Sequence, residues 1–507
     1  MEYHGQPESA SKPNTAEVSV YPDEKTLMRR VDWNILPLMT VAYMLQFLDK
    51  TALGYTTIFG IRESLVIMPA YAMPRRSLTR NQNLVGDQYS WAASAFYFGF
   101  MVASYPVSLC FVKLPIGKFL SLTFISWAVV LACHGATSNF AGLMVVRVLL
   151  GVLESTITPG LSLVTSLWYK RSEHASRHGI WFAGNSISSI FGGLLTYAIG
   201  HISNSVQPWA WIFIIFGILT FAYGVVLLIF LPDSPRTARF LSKEEREFIH
   251  KRAQQDTHTT VSYKWSKSQC IEALIDPKTW LIFIYAMGSC IPNGGVTSFG
   301  SIVVSGFGFS TFNTILVQLP MSIFTLIYVT AATVITSKLR KSRCITAAVL
   351  ELISLAGCLM VSQIDPQDKL ARLGGMWLFP AYSASIPIIL SVIASNVAGY
   401  TKRTTVSAVM FLGNCAGNIT GPFLFFSDET PVYQSAWIGI MISLAIAFVA
   451  LLVLRQLMDF QNRYRDRQQN VKIDPESESS GVTETVEAVA LDADETDWEN
   501  QSFRYYL

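Results

Sequence analysis

Twelve long stretches of mostly apolar residues dominate this 507-residue chain. The hydrocarbon core of a bilayer is about 30 Å thick, and about 20 residues of helix cross it. Each stretch is therefore predicted to cross a membrane once. Only 14% of the residues are charged, which favours a chain solvated mostly by lipid. In chain order, spans 1 to 12 cover residues 34–60, 89–111, 118–137, 141–166, 179–200, 209–231, 279–299, 312–336, 344–363, 373–395, 404–426 and 435–456.

Two groups of six spans flank a long polar segment. We predict an all-α membrane protein with twelve transmembrane helices in two six-helix bundles. The expected parts are an N-terminal tail, an N-terminal bundle, a central loop, a C-terminal bundle and a C-terminal tail, at residues 1–33, 34–231, 232–278, 279–456 and 457–507.

The polar segments carry some structure of their own. Ser242 followed by Glu245 has the pattern of a capping box and predicts a helix over residues 243–254. Ser266 and Gln269 predict a second short helix in the same way. The tail beyond residue 470 is acidic and low in complexity, so it is predicted to be flexible.

Lysine and arginine are concentrated in alternate loops. The loops that carry them are 112–118, 167–178, 337–343 and 401–403. The intervening loops that carry none are 138–140, 201–208, 300–311 and 427–434, while loop 364–372 carries two, Lys369 and Arg372. Because short basic loops face the cytoplasm, both termini are expected to be cytoplasmic.

The segment between spans 1 and 2 breaks this rule. It carries Arg62, Arg75, Arg76 and Arg80 on the side predicted to be extracellular. Three of these lie in the 17 residues 66–82, and removing that stretch leaves an ordinary short polar loop. Our hypothesis is a retained intron, and the alternative is a genuine extracellular insertion. Sequencing the cDNA distinguishes them, because transcripts that mostly contain these codons contradict the hypothesis.

Five charged residues lie at least six residues inside the ends of the predicted spans, and such a residue costs about 2.5–3.5 kcal/mol at a helix centre. Such residues are candidates for function by default. Glu351 lies near the start of its span and can be interfacial. The five are Asp49 and Lys50 in span 1, Arg147 and Glu154 in span 4, and Glu351 in span 9.

Two of these charges share one face of span 4. Arg147 and Glu154 are two turns apart with Gly151 between them, so this face is expected to look into a cavity. There Arg147 can bind a carboxylate ligand and Glu154 can exchange a proton. The alternative is an ion-pair network that sets helix packing.

The two charges of span 1 are adjacent. Asp49 and Lys50 point about 100° apart, so at least one needs a partner on another helix. Asp49 is a candidate proton or ion-pair site, and Lys50 is a candidate contact for an anion. A structural ion pair is the alternative for both.

Uncharged polar residues also recur inside the spans. Proline and glycine accompany them at Ile291–Gly295 in span 7 and at Gly413–Pro422 in span 11. These are predicted to break the helices where a ligand can meet the backbone, and close packing of small residues is the alternative. The candidate lining residues are Asn185, Asn293, Gln318, Tyr382, Asn414 and Asn418.

Other classes of protein have little support in the sequence. We find no nucleotide-binding loop, metal-ligand spacing or nucleophile motif, so neither an enzyme nor a cofactor is predicted. The net charge is only +3, so a nucleic-acid partner is not predicted either.

Several motifs resemble those of one transporter family. Arg147-Val-Leu-Leu-Gly151 is similar to the RxxxG signature of the major facilitator superfamily. Longer stretches resemble the fungal allantoate permease group within its anion:cation symporter family. They include LQFLDKTALGY at 45–55, RVLLGVLESTITPG at 147–160, GNCAGNITGP at 413–422 and the terminal WENQSFRYYL.

The resemblance implies proton-coupled uptake of a small organic anion, such as allantoate, ureidosuccinate, nicotinate or pantothenate, across the plasma membrane. Its implied partners are the lipid bilayer, a small anionic substrate and protons. The charged positions of the family carry over to Asp49, Lys50, Arg147 and Glu154. Two alternatives remain: efflux of a secondary metabolite, and a nutrient sensor that binds without transporting.

Overall fold

The computed structural model describes residues 24–59, 61, 88–202, 208–255, 265–339, 341–365, 367–430, 432–469 and 495–506. These residues form 18 α-helices and five short 3₁₀ helices, with no strand in these ranges. The insertion at 66–82 and the acidic residues 470–494 lie outside them. The helices are α1 (Glu24–Thr56), α2 (Gln88–Lys113), α3 (Ile116–His134), α4 (Phe140–Glu154), α5 (Ile157–Trp168), α6 (Arg171–Phe182), α7 (Gly184–Ile199), α8 (Pro208–Phe230), α9 (Lys243–Gln255), α10 (Lys267–Ile275), α11 (Pro277–Ser305), α12 (Thr311–Leu316), α13 (Leu319–Lys338), α14 (Arg343–Gln363), α15 (Lys369–Leu378), α16 (Ser385–Asn396), α17 (Tyr400–Thr420) and α18 (Gln434–Gln468).

The helices pack into two bundles, as predicted. In the first, α2 packs against α4 and α3 against α8. In the second, α11 packs against α17 and α14 against α18. The outer surfaces of both bundles are apolar: Ile218, Ile327 and Ile442 are each more than half exposed. Exposed apolar surface on this scale is the signature of a bundle solvated by lipid.

Seven helical segments within the described ranges are long and apolar enough to cross a membrane. The other five predicted spans coincide with α1, α2, α6–α7, α11 and α17. All five contribute side chains to the wall of a cavity between the bundles.

Four spans are interrupted at places that the sequence analysis did not predict. Span 4 turns between α4 and α5, span 5 between α6 and α7, and span 8 between α12 and α13. Span 10 contains the 3₁₀ segment Phe379–Ala384. The break predicted at Ile291–Gly295 is wrong, because α11 runs through Pro292 without interruption. Span 11 does change, at Gly421, where α17 gives way to a 3₁₀ turn.

The glycines of spans 7 and 11 serve close packing instead. A Cβ atom at Gly294 would overlap the backbone of Asn418, and one at Gly417 would overlap the carbonyl oxygen of Met287. One at Gly421 would overlap the carbonyl oxygen of Ile291. Helices α11 and α17 therefore touch backbone to backbone, as small residues permit in membrane bundles.

We expect Gly294→Ala to destabilise the second bundle by about 1–3 kcal/mol, the usual cost of overpacking a filled interface. The matched control is Gly179→Ala in α6, where an added Cβ would meet nothing within 4 Å. The control should be neutral or slightly stabilising, because alanine favours helix over glycine. Thermal unfolding of the purified proteins in detergent measures both, and equal melting temperatures would contradict the close-packing account.

One end of the molecule, here called the terminal face, holds the first turn of α1, helices α9 and α10 and the last turns of α18. The capping box of α9 is confirmed: the Ser242 N–H donates to Glu245 Oε2 at 2.7 Å, and the Glu245 N–H donates to Ser242 Oγ at 3.2 Å. Helix α10 forms without a capping hydrogen bond from the Ser266 side chain. Its Gln269 Oε1 instead accepts from the Thr401 N–H at 3.0 Å, which ties α10 to α17.

A second network ties α9 to the first bundle at the terminal face. Arg252 is 6% exposed and donates to Glu24 of α1 at 2.7 Å and to Glu173 of α6 at 2.8 Å. Hydrogen bonding by the Arg252 guanidinium holds the pKa of Glu24 below its ordinary value, against a smaller opposing effect of burial. Helix α9 therefore straps two helices of one bundle together.

The last residues of the chain are docked, so the predicted flexibility is wrong for residues 495–506. Asp497 is fully buried between Lys278 of α11 and Lys402 of α17, at 3.0 and 2.6 Å. The Tyr506 N–H donates to Asn396 Oδ1 of α16 at 2.6 Å. This C-terminal segment straps the second bundle at the terminal face, much as α9 straps the first.

Candidate functional site

A cavity of about 1010 Å³ lies between the two bundles. Its wall runs from Lys50 and Gly54 of α1 to Val334 of α13 and Leu390 of α16, near the terminal face. Pockets that hold small molecules have volumes of roughly 300–1,000 Å³. The cavity is therefore large enough for a metabolite with its water.

The opposite end, here called the loop face, is closed by contacts between the bundles. This end comprises the end of α1, the start of α2, the end of α11 and the turn Gly421–Leu424. Ser90 Oγ donates to the Pro422 carbonyl at 2.8 Å, and Ser94 Oγ donates to the Ile419 carbonyl at 2.9 Å. Tyr89 Oη donates to the Ser298 carbonyl at 2.9 Å. The cavity is thus sealed at the loop face.

Six of the residues predicted from sequence line this cavity. Lys50 and Asn185 come from the first bundle, and the others come from the second. Residues from four helices, one 3₁₀ segment and the N-cap of α13 thus meet in one wall. The six are Lys50, Asn185, Asn293, Gln318, Tyr382 and Asn414.

Lys50 carries the charge of this wall. Its ammonium lies over the ring of Tyr97 at 5.2 Å and over that of Phe47 at 5.9 Å from the centroids. It forms no ion pair with any carboxylate of the described ranges, so the structural ion pair considered for it is absent there. A cation that faces a cavity without a protein counterion can bind an anionic ligand.

Three asparagines form a chain beside the cavity. Asn293 Nδ2 donates to Asn418 Oδ1 at 2.7 Å, and Asn418 Nδ2 donates to Asn414 Oδ1 at 2.8 Å. Asn418 is 1% exposed and does not line the cavity. Its amide therefore orients the two asparagines that do. This chain also ties α11 to α17 at the level where their backbones touch.

The two carboxyl groups of the first bundle lie behind the wall. Gln46 Nε2 donates to Glu154 Oε2 at 3.0 Å, and Thr220 Oγ1 donates to Asp49 Oδ2 at 3.0 Å. Both carboxyl groups are fully buried, and the second oxygen of each has no hydrogen-bond partner within the described residues. A buried carboxyl with so few partners is much less costly when it holds a proton than when it is ionised.

Arg147 differs from its predicted placement. The face of α4 that carries Arg147 and Glu154 packs on α2, where Gly151 abuts the Phe96 carbonyl. Neither charge lines the large cavity. Arg147 lines a separate cavity of about 20 Å³ together with Lys50 and Tyr97, which is room for about one water molecule. Its Nε and Nη1 atoms have no hydrogen-bond partner among the residues described.

Gln46 is a site residue that the sequence analysis missed. It lines the cavity and also donates to Glu154, so it connects the cavity surface with the buried acid. The signal was present, because Gln46 lies one helical turn before Lys50 and therefore on the same face of span 1.

The interfacial position considered as an alternative for Glu351 is not the one that the structure has. The Glu351 side chain is 0% exposed in the second bundle. Ser289 Oγ donates to Glu351 Oε1 at 3.0 Å, and Ser385 Oγ donates to the same oxygen at 2.8 Å. It is the counterpart, in the second bundle, of the buried acids of the first.

Two apolar-faced bundles around a cavity with polar side chains in its wall, sealed at one end, define a multi-pass membrane transporter rather than an enzyme. The model of the Major Facilitator Superfamily matches residues 39–422. The chain belongs to this superfamily.

Known proteins agree with this assignment. The chain is 34% identical to the allantoate permease of Saccharomyces cerevisiae, over 97% of this chain and 88% of that one. It is 28% identical to the high affinity cysteine transporter of the same yeast, over 96% and 91%. A solved inward open structure of the xylose transporter from E. coli superposes with a TM-score of 0.62 at 11% identity, over 83% of this chain and 95% of that one, which supports the fold.

Proposed function

We propose that the protein is a secondary active transporter that takes up a small organic anion together with protons across the plasma membrane. The observation that carries the proposal is the Lys50 ammonium, which faces the cavity without a carboxylate partner while two buried carboxyl groups lie behind it. A carboxylate substrate supplies the missing counterion. The 34% identity to an allantoate permease supports a small carboxylate as the class of substrate.

In this proposal the terminal face is cytoplasmic, in agreement with the basic loops of the sequence. The structure then corresponds to an inward-facing state, with the cavity leading towards the cytoplasm. Rocking of the two bundles would break the hydrogen bonds of Ser90 and Ser94 at the loop face and admit substrate from outside. Protonation of Glu154 or Asp49 neutralises a buried charge, so proton and substrate binding bias the same transition.

The test is uptake of labelled carboxylates, including allantoate, nicotinate, pantothenate and a dipeptide, in cells that express the chain with and without residues 66–82. Measurements at pH 5 and pH 7 separate proton-coupled from uncoupled entry. We expect faster uptake of at least one substrate at pH 5. No uptake at either pH, with surface expression confirmed, would contradict import of these substrates and direct attention to efflux assays.

We expect Lys50→Gln to reduce uptake at low substrate concentration by about 10–100-fold, because a hydrogen bond to a charged group contributes about 1.5–3 kcal/mol. Lys50→Arg keeps the charge and should retain part of the uptake. Lys118→Gln is the matched control, since that lysine side chain is 66% exposed at the terminal face. Wild-type uptake by a well-expressed Lys50→Gln protein would exclude Lys50 as the anion contact.

A further inference from the structure

The second bundle contains a buried acid one layer behind the cavity wall. Glu351 of α14 accepts hydrogen bonds from Ser289 of α11 and Ser385 of α16, both through Oε1. Its Oε2 atom is buried and has no partner in the described part of the chain. The wall between this carboxyl and the cavity is formed by Cys290 and Tyr382.

Among the described residues, no positive charge faces Glu351. The titratable groups that face it are the phenol of Tyr285 and the thiol of Cys290 from α11, and the phenol of Tyr382 from the segment Phe379–Ala384. The arginines of the other packed helices lie at different levels: Arg372 of α15 donates to the Val361 carbonyl, and Arg455 of α18 lies near Cys344. The negative charge of an ionised carboxylate at this place has no compensating positive charge, whereas a protonated carboxyl carries no charge that needs one.

Ser385 links this carboxyl to the cavity wall. Its Oγ atom lies 2.8 Å from Glu351 Oε1, 2.6 Å from the Tyr382 carbonyl oxygen and 2.5 Å from Tyr285 Oη. A hydroxyl group has one hydrogen to donate. When Glu351 is ionised, that hydrogen is drawn to the carboxylate; when Glu351 is protonated, it is available to the Tyr382 carbonyl.

Tyr382 is the residue whose carbonyl gains or loses the hydrogen bond from Ser385. Tyr382 lines the cavity, and its N–H donates to Ser354 Oγ at 2.6 Å, one turn beyond Glu351 on α14. Both backbone groups of Tyr382 are thus held by residues next to Glu351. The 3₁₀ segment Phe379–Ala384 interrupts the helix at this place, so a change in one of these two hydrogen bonds affects the position of the ring.

We propose that Glu351 gains and loses a proton during transport and, through Ser385, positions Tyr382 in the cavity wall. This inference rests on the proposed function, because it adds a proton site in the second bundle to those of the first. Glu351 is a positioning residue here, since it does not touch the cavity itself. The step is a simple proton transfer, in which the carboxylate becomes a carboxylic acid and the bond from Ser385 is released.

The experiment uses the full chain in proteoliposomes with a substrate found by the uptake panel. Glu351→Gln mimics the protonated acid permanently. We expect it to reduce the ratio of uptake at pH 5 to uptake at pH 7 at least threefold, while exchange of substrate at equal pH stays within threefold of wild type. Glu351→Asp should restore most of the pH ratio, and Glu247→Gln on the exposed side of α9 should leave it unchanged. A wild-type pH ratio in Glu351→Gln would overturn the inference.

Infrared spectroscopy of the purified protein separates this inference from the proposed function. A carboxylic-acid carbonyl band that grows as the pH is lowered and is missing in Glu351→Gln supports proton uptake by Glu351. If the wild-type protein shows no pH-dependent uptake, the proposed coupling fails, and this band then decides on Glu351 alone. Identical pH-difference spectra for wild type and Glu351→Gln would overturn the inference whatever the transport result.

Discussion

Glu154→Gln is expected to abolish proton-driven accumulation while leaving substrate exchange in place. Glutamine keeps the shape of the side chain and can still accept the hydrogen bond that Gln46 donates at 3.0 Å. It cannot release a proton, so the site stays in its neutral form at every pH. Accumulation against a gradient requires proton release, whereas exchange between equal compartments requires only that loaded carriers cross.

Two assays measure the effect of Glu154→Gln. The accumulation ratio of labelled substrate at pH 5 should fall to about the equilibrium value, and counterflow at equal pH should remain within a few-fold of wild type. Glu247→Gln, in which the glutamate is 50% exposed beside Arg236, is the control for loss of one carboxylate. An unchanged pH dependence in a well-expressed Glu154→Gln protein would remove Glu154 from the coupling mechanism.

Two side chains separate the buried acid Glu154 from the cavity. Gln46 and Lys50 lie on one face of α1 and line the cavity, whereas Glu154 lies behind Gln46. In the proposed mechanism a substrate anion would bind Lys50 without touching Glu154. Its effect on this acid would be transmitted by the charge of Lys50 and by the Gln46 amide.

The architecture could be predicted from the sequence because the bilayer imposes a length and an apolar surface on every span. The candidate residues were found for the same reason, since a polar side chain in a span is rare. The direction in which each candidate residue faces around its helix was harder to predict from the sequence. Arg147 and Glu154 were correctly placed on one face of span 4, but only the packing of Gly151 on α2 shows that this face meets a helix and not the large cavity.

Two other differences also have physical reasons. Glycine and proline are compatible with either a broken helix or close helix contact, and only the partner helix distinguishes the two at Gly294. At the C-terminus, the prediction of flexibility was drawn from the acidic composition of the whole tail, although its last residues are more apolar. Trp498, Phe503 and Tyr505 there supply the apolar surface that an acidic disordered segment lacks.

Asp497→Asn is expected to destabilise the second bundle by about 3–5 kcal/mol, the usual effect of removing one partner from a buried ion pair. Asp497 and Lys402 are both fully buried, and Lys278 is 4% exposed. The substitution removes the carboxylate that lies between the two ammonium groups. Asp276 lies 3.3 Å from each of them and compensates in part. A lower melting temperature in detergent measures the effect.

The pH dependence of this contribution has a definite sign. Burial alone would raise the pKa of Asp497, but the ammonium groups of Lys278 and Lys402 outweigh it, so the pKa lies below its ordinary value. The stabilisation is therefore complete above the unfolded value of about 3.9 and is lost as the pH falls through the lower folded value. Between pH 5 and pH 8 the difference between wild type and Asp497→Asn should be constant.

Glu495→Gln is the matched control, because Glu495 is exposed two residues earlier in the same segment. A chain that ends before residue 495 should lose at least as much stability as Asp497→Asn, since the truncation also removes the bonds of Asn396 and Arg465 to the segment. Equal melting temperatures for wild type, Asp497→Asn and the truncated chain would show that the docked segment does not stabilise the bundle. A loss confined to the truncation would instead assign the stabilisation to Tyr505 and its neighbours, and not to the buried charge.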